Sequence, residues 1–307
     1  MSLYVWQDTL QYHLLEVLES HNCECQSCPK ERNPERRAII DASPAPFLSR
    51  GSAAPKEAYQ WWKSLQHTPQ DVDYFMKTVD RLFQIFPPSP DFFKPSPDNC
   101  RSCAVVGNSG NLLGSHYGPL IDFHKIVIRI NKAPTEGYEE DVGTKTTHHV
   151  MYPESAVNLA NTTHLVFFSF KMRDLEWLLR SFDPANNKGQ SGRRGNKDLV
   201  MIINPAFMKY VNDMWIHKRG YYPSTGFMVL ILSLVVCDEV SVFGFGPGSD
   251  GNWHHYYEKG NVVQRGTGPH SRTDEYNIIE DLHKKKTIRL YNGTNKPTNE
   301  KSNDKRP

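Results

Sequence analysis

Short apolar runs alternate with amphipathic stretches over most of this chain. Residues 104–106, 126–130, 165–168, 199–203, 240–243 and 287–290 are rich in Val, Ile, Leu and Phe, and polar or glycine-containing segments bound them. Between them, apolar residues recur at helical spacing over 171–182, 205–217, 225–236 and 273–284. Near-continuous apolar strands alternating with helices imply a sheet buried on both sides. The expected fold class is α/β: a single Rossmann-like, mostly parallel sheet with helices on both faces and a helical N-terminal part.

Upstream of the first strand the pattern differs. Residues 1–20 suggest an amphipathic helix, 21–54 are polar and loop-like, and helical spacing returns at 56–66 and 70–86. A connector containing Pro87, Pro88, Pro90, Pro95 and Pro97 follows; proline ends helices and stiffens the chain. The expected organisation is a helix and cysteine-containing segment over 1–54, a helical part with its connector over 55–99, a Rossmann-like domain over 100–293, and a disordered polar tail over 294–307. Residues 184–197, rich in Gly, Asn and Arg, read as a mobile loop.

Composition narrows the classes. A hydrophobic fraction of 38% can supply a core, and a formal charge of +2 gives no electrostatic footprint for nucleic acid. No stretch reaches the ~18 apolar residues of a membrane span. The apolar run 227–236 reads instead as a buried helix, and the acid-bearing first residues do not resemble a signal peptide. The six cysteines are Cys23, Cys25, Cys28, Cys100, Cys103 and Cys237. Their spacing suits zinc, redox chemistry or disulfides. Two glycosylation sequons, at Asn161 and Asn292, favour a secretory compartment and hence disulfides.

Three segments carry candidate chemistry. Val105-Val106-Gly107-Asn108-Ser109-Gly110-Asn111 runs from a strand into a glycine-containing turn, where an open α/β sheet binds ligands. Asn131 ends the second strand and emerges at the same sheet edge. Tyr222-Pro223-Ser224-Thr225-Gly226 precedes the apolar helix, whose capped start suits an anionic group. The adjacent His148 and His149 would point to opposite faces of a strand and make a poor metal chelate. A further pair of histidine segments, His254-His255 and His270 with Glu275 five residues on, offers groups that exchange protons near neutral pH.

In this order the segments resemble the animal sialyltransferases. The large motif of that family is similar to Cys103 through Asn111 and on through Asn131-Lys132-Ala133-Pro134 to His149, and the small motif to Tyr222 through Gly226, Cys237-Asp238-Glu239-Val240 and Gly244-Phe245-Gly246. The third motif resembles His254-His255-Tyr256-Tyr257, and the very small motif, H-x-x-x-x-E, resembles His270 to Glu275. Residues 141–149 and Asn252-Trp253-His254-His255-Tyr256 are most like the β-galactoside α-2,3 branch acting on Galβ1-3GalNAc.

The resemblance implies a modified GT-A fold and inverting, metal-independent transfer from CMP-sialic acid to the 3-hydroxyl of a terminal galactose on a glycoprotein or glycolipid. It implies His270 as general base and His255 as the group that protonates or hydrogen-bonds the leaving phosphate. Asn108, Asn131, Ser155, Ser224, Gly226, Phe245 and His254 would bind the donor; Gln66 and Tyr222 would bind the acceptor. It also implies the pairings Cys103–Cys237, Cys23–Cys28 and Cys25–Cys100, no cofactor, no metal, and a type II membrane protein of the Golgi lumen, although no anchor is visible in this sequence. The D-x-D form that anchors metal-nucleotides elsewhere occurs at Asp71-Val72-Asp73, far upstream of the sheet. A Rossmann-type oxidoreductase or methyltransferase is the alternative suggested by the 104–110 turn, with Asp122 as a loose candidate for its acid. A catalytically silent glycan-binding protein is the other, suggested by the tyrosine-free 184–197 loop.

Overall fold

The computed structural model describes residues 34–52, 55–88, 100–183, 195–248, 251–258 and 269–293. The helix expected over 1–20, Cys23, Cys25, Cys28, most of the 184–197 loop and the polar tail lie outside the described residues.

Among the described residues seven strands form one parallel sheet: β1 (Ser102–Val106), β2 (Ile126–Ile130), β3 (His148–Met151), β4 (His164–Phe167), β5 (Val200–Ile202), β6 (Glu239–Phe243) and β7 (Arg289–Tyr291), in the order β5-β4-β3-β2-β1-β6-β7. The chain builds outward from β1 to β5, then crosses back to lay β6 on the other side of β1. That reversal makes the carboxyl end of β1 the switch point at which such sheets bind ligands.

Parallel pairing buries both faces, and the residues of β1 show it. Cys103 and Val105 belong to one core, and Ala104 and Val106 to the other. The larger core is covered by α2 (Lys56–Leu65), α3 (Val72–Ile85), α6 (Met172–Phe182), α7 (Pro205–Tyr210), α8 (Thr225–Val236) and α9 (Arg272–Lys284). The smaller core lies under α4 (Gly118–Phe123) and α5 (Glu139–Val142). Helix α8 is apolar all round and buried from Phe227 to Val236, as a central helix must be. Cys103 in β1 and Cys237 at the end of α8 are bonded across 134 residues of sequence. Cys100 is also disulfide-bonded; the implied pairings Cys23–Cys28 and Cys25–Cys100 involve cysteines outside the described residues.

Three features depart from the sequence reading. The first is β3, a seventh strand: its first two residues are histidines rather than apolar groups, so the pattern of Val, Ile and Leu misses it. Both rings are buried, His148 stacking on His164 at 4.5 Å and the His149 ring donating to the Asn131 carbonyl. Burial, then the neighbouring His164, pushes His148 down to about 3, so it is neutral. The second is α1 (Pro34–Ala42), within a stretch expected to be loop. Its buried Arg36 donates to the carbonyls of Leu234, Cys237 and Asp238, satisfying the open end of α8. That partner lies some 200 residues away, which local spacing cannot reveal. The third is the helix expected over 205–217: it ends at Tyr210 as an α-helix and continues as a wider π-turn over Val211–Trp215.

Candidate active site

A cavity of about 340 Å³ opens at the carboxyl ends of β1, β2 and β6. Its walls include Gly107, Asn108, Asn131, Ser224, Gly226 and Phe245, with His254, His255 and His270. A neighbouring cavity of about 140 Å³ is lined by Gln66, Tyr222 and Lys171, among others. Tyr152, Thr225 and His270 line both.

Glycine permits the close packing behind the first cavity. A Cβ on Gly107 would lie 2.4 Å from the Gly244 carbonyl oxygen and 3.0 Å from the Phe245 ring. Asn108 donates from Nδ2 to the Ile130 carbonyl at 2.8 Å, which orients the amide and leaves Oδ1 buried without a partner. Asn131 sits at φ 61° and also has a buried, unpartnered Oδ1. Buried polar atoms are normally satisfied. Two orphan acceptors in one cavity wall suit a ligand rich in hydroxyl or amino donors, such as a ribonucleoside.

Backbone pairing brings the two histidine segments here from distant sequence. Ser109 bridges His255, and the Gly110 and Tyr256 N–H groups donate to His254 and Asn108 carbonyls at 2.8 and 2.9 Å. Gly220 bridges His270, and Tyr221 N–H donates to Pro269 at 2.8 Å. Each imidazole is then fixed by its Nδ1. In His270, Nδ1 lies 2.9 Å from the Tyr222 carbonyl, which can only accept, so Nδ1 carries the proton and Nε2 presents a lone pair. Burial lowers the His270 pKa, with the Tyr222 carbonyl opposing and Arg272 adding to the effect; the ring is held as a neutral base. In His255, Nδ1 lies 2.8 Å from Glu258, whose other oxygen accepts the His255 N–H at 3.0 Å. Burial tends to raise the Glu258 pKa, but these contacts outweigh it and the carboxylate stays below its usual range. His255 Nε2 is thereby turned outward with a negative charge behind the ring.

The start of α8 forms another wall. Ser224 accepts the Phe227 N–H at 3.1 Å, while Glu275 receives both the Ser224 N–H and hydroxyl at 2.6 Å. Thr225 and Gly226 lie in the first turn, where N–H groups have no intrahelical acceptor; this favours an anion.

The structure brings Asn108, Asn131, Ser224, Gly226, Phe245, His254, His255 and His270 around one cavity, and Gln66 and Tyr222 around the next. Gln66 and Tyr222 line the same cavity, and the Tyr222 ring packs edge-on to His270 at 4.9 Å. Ser155 lines neither cavity: its hydroxyl is taken up by the backbone of Tyr152, at 3.2 Å. Asn161 and Asn292 are exposed. Sequence reasoning assigned no role to Tyr152 or Glu258, and named Glu275 only as the end of the last motif. The H-x-x-E spacing of His255 and Glu258 was a usable signal; nothing local marks Tyr152.

Asp122 is committed elsewhere, accepting the N–H groups of Thr144 and Lys145 at 2.8 and 2.9 Å, and cannot serve a dinucleotide ribose. Asp71 caps α3 through the Tyr74 N–H at 2.8 Å. Among the described residues no group of three or more His, Cys, Asp or Glu is arranged to hold a metal ion.

Known proteins resemble this chain. The family model for glycosyltransferase family 29 (sialyltransferase) matches residues 47–287. The chain is 42% identical over 289 residues to CMP-N-acetylneuraminate-beta-galactosamide-alpha-2,3-sialyltransferase 2 of Mus musculus, covering 91% of this chain and 82% of that protein. It is 38% identical over 300 residues to the Homo sapiens alpha-2,3-sialyltransferase 1 of the same type, covering 92% and 86%. A crystal structure of a mammalian sialyltransferase in complex with Gal-beta-1-3GalNAc-ortho-nitrophenol superposes with a TM-score of 0.76 at 39% identity, covering 88% of this chain and 99% of that one. The chain therefore belongs to glycosyltransferase family 29, the sialyltransferases.

Proposed function

We propose that this enzyme moves sialic acid from CMP-sialic acid to the 3-hydroxyl of a terminal β-galactose, with inversion, on a Galβ1-3GalNAc acceptor. The observation that carries the reading is the position of His270, whose ring lines both cavities with Nε2 available as a base. The names of its relatives, which specify a CMP-N-acetylneuraminate donor, a β-galactosamide acceptor and an α-2,3 linkage, support the same assignment.

In this scheme the larger cavity takes the donor. Asn108 and Asn131 accept from the nucleoside, and the start of α8 faces the phosphate. The smaller cavity takes galactose against Gln66 and Tyr222. His270 Nε2 removes the 3-hydroxyl proton as the oxygen attacks the anomeric carbon of sialic acid. The bond to the CMP phosphate breaks on the opposite side, which inverts that centre. The developing phosphate charge is met by His255 acting as the imidazolium, which donates from Nε2–H to the departing phosphate while Glu258 holds its Nδ1–H. The two imidazoles carry out the proton transfers that the reaction needs.

We also assign the chain to the Golgi lumen, the compartment of its family, with glycoprotein or glycolipid acceptors; among the described residues no helix is long and apolar enough to cross a membrane. The test is incubation of the purified chain with CMP-sialic acid and Galβ1-3GalNAc. An α-2,3-sialylated trisaccharide is expected, together with loss of turnover but retained CMP binding in His270→Ala. Absence of product from the unmodified chain overturns the reading.

A further inference from the structure

A third cleft, of about 330 Å³, lies outside the machinery described so far. Trp61, Ser64, Asn212, Asp213, Lys218 and Tyr221 line it. Two elements link it to the acceptor cavity. Helix α2 contributes Trp61, Ser64 and Leu65 to the cleft, and the next residue, Gln66, to the acceptor cavity. The 220–222 segment contributes Gly220 and Tyr221 to the cleft and Tyr222 to the acceptor cavity. The two spaces therefore flank one partition.

The cleft has the chemistry of a sugar site. Asn212 is only 3% exposed; its Nδ2 is held by Asp213 at 3.0 Å, yet its buried Oδ1 accepts from no described residue. A buried, unpartnered acceptor at a cleft wall calls for a donor from outside. Tyr221 is 71% exposed, an unusual state for a large aromatic ring, and Trp61 is half-buried nearby. Aromatic rings beside polar side chains suit a pyranose, which has an apolar C–H face and a rim of hydroxyls. The π-turn at Val211–Trp215, closed by Ile216 N–H on the Val211 carbonyl at 3.4 Å, sets Asn212 in this wall, and such turns are frequent at functional sites.

We infer that this cleft is an extended acceptor subsite, taking a pyranose that lies beyond the terminal disaccharide on its reducing side. The inference rests on the acceptor cavity assigned above. It makes the preferred substrate an elongated glycan chain, with the hydroxyl of the outlying sugar donating to Asn212 Oδ1 and its face against Tyr221.

The test compares kcat/KM for three acceptors: the Galβ1-3GalNAc disaccharide, a tetrasaccharide ending in it, and a peptide carrying the disaccharide on threonine. The tetrasaccharide is expected to be preferred over the disaccharide by about fivefold, through a lower KM, the scale of one aromatic contact. Tyr221→Ala is expected to erase that preference and leave disaccharide kinetics unchanged. Equal use of disaccharide and tetrasaccharide by the unmodified enzyme, or a gain confined to the glycopeptide, overturns the subsite while leaving the catalytic reading intact. Failure to sialylate even the disaccharide overturns the catalytic reading, and the subsite with it.

Discussion

The carboxylate of Glu275 grips Ser224 twice, through the backbone N–H and the hydroxyl, at 2.6 Å each. Ser224 in turn caps α8. The first turn of one helix thus fixes the first turn of another, and both line the cavity. The pairing also lets the last of the four sequence motifs act on the second.

Glu275 has a pKa pushed up to about 7, chiefly by burial, against the hydrogen bonds from Ser224 and the charge of Arg272. Its ordinary value is 4.5, so the folded state holds this proton more tightly than the unfolded chain does. The stabilisation is fully present below about pH 4.5 and is lost as pH rises through about 7, by about 3 kcal/mol at most. Glu275→Gln removes this dependence. Thermal unfolding from pH 4.5 to 8 is expected to show the unmodified protein losing stability relative to the variant as pH rises; a constant difference would refute the assignment. The variant is also expected to bind CMP more weakly, because Ser224 loses a charged acceptor.

His270 must be neutral to accept a proton, and burial lowers its pKa below the ordinary imidazole value of 6.5. The acid limb of kcat/KM is therefore expected below pH 6.5, with activity flat from there to neutrality. His270→Ala is expected to lower kcat by about 10²–10⁴-fold. A pH profile whose acid limb stands above 6.5 would argue against His270 as the base.

Glu258→Gln keeps an oxygen for His255 Nδ1–H but removes the charge behind the ring. We expect kcat to fall about tenfold or more, with KM for the acceptor little changed, because the loss falls on the developing phosphate charge. His255→Ala should be at least as severe, and the double variant no worse than His255→Ala alone. Additive losses in that cycle would mean that the two residues act separately.

Cys103 and Cys237 tie β1 to the end of α8, 134 residues apart, and both are fully buried. Replacing both by alanine is expected to cost about 2–5 kcal/mol in denaturant unfolding, a large share of the stability of an ordinary domain. Since β1 leads into Gly107 and Asn108, and α8 begins at Ser224, CMP affinity should fall as well. Unchanged stability would show that the packing around them holds the two elements without the bond.

Six of the seven strands were legible as apolar runs, and their alternation with helices was enough to imply a covered parallel sheet. A chain that buries both faces of a strand must fill it with apolar residues, and that demand is local. Strand β3 escaped because its histidines are buried by stacking on His164 and by a bond to the Asn131 carbonyl. Helix α1 escaped because Arg36, polar in sequence, is buried against carbonyls far along the chain. Both are satisfied by partners that spacing does not record.

The candidate site divides in the same way. Sequence by itself determined which residue types were present and in what order: glycine and asparagine after a strand, serine and glycine at a helix start, histidines that can exchange protons. Only the tertiary structure decided that His255 pairs with the loop of Ser109 while His270 pairs with Gly220, so that both meet one cavity. It alone fixed that Nδ1 is a donor in each imidazole, because the Tyr222 carbonyl and the Glu258 carboxylate are the acceptors there. It also turned Ser155 inward onto its own turn and placed Tyr152 at both cavities. The physical reason is that propensity and burial act over a few residues, whereas proton position and side-chain direction depend on the particular partner a fold supplies.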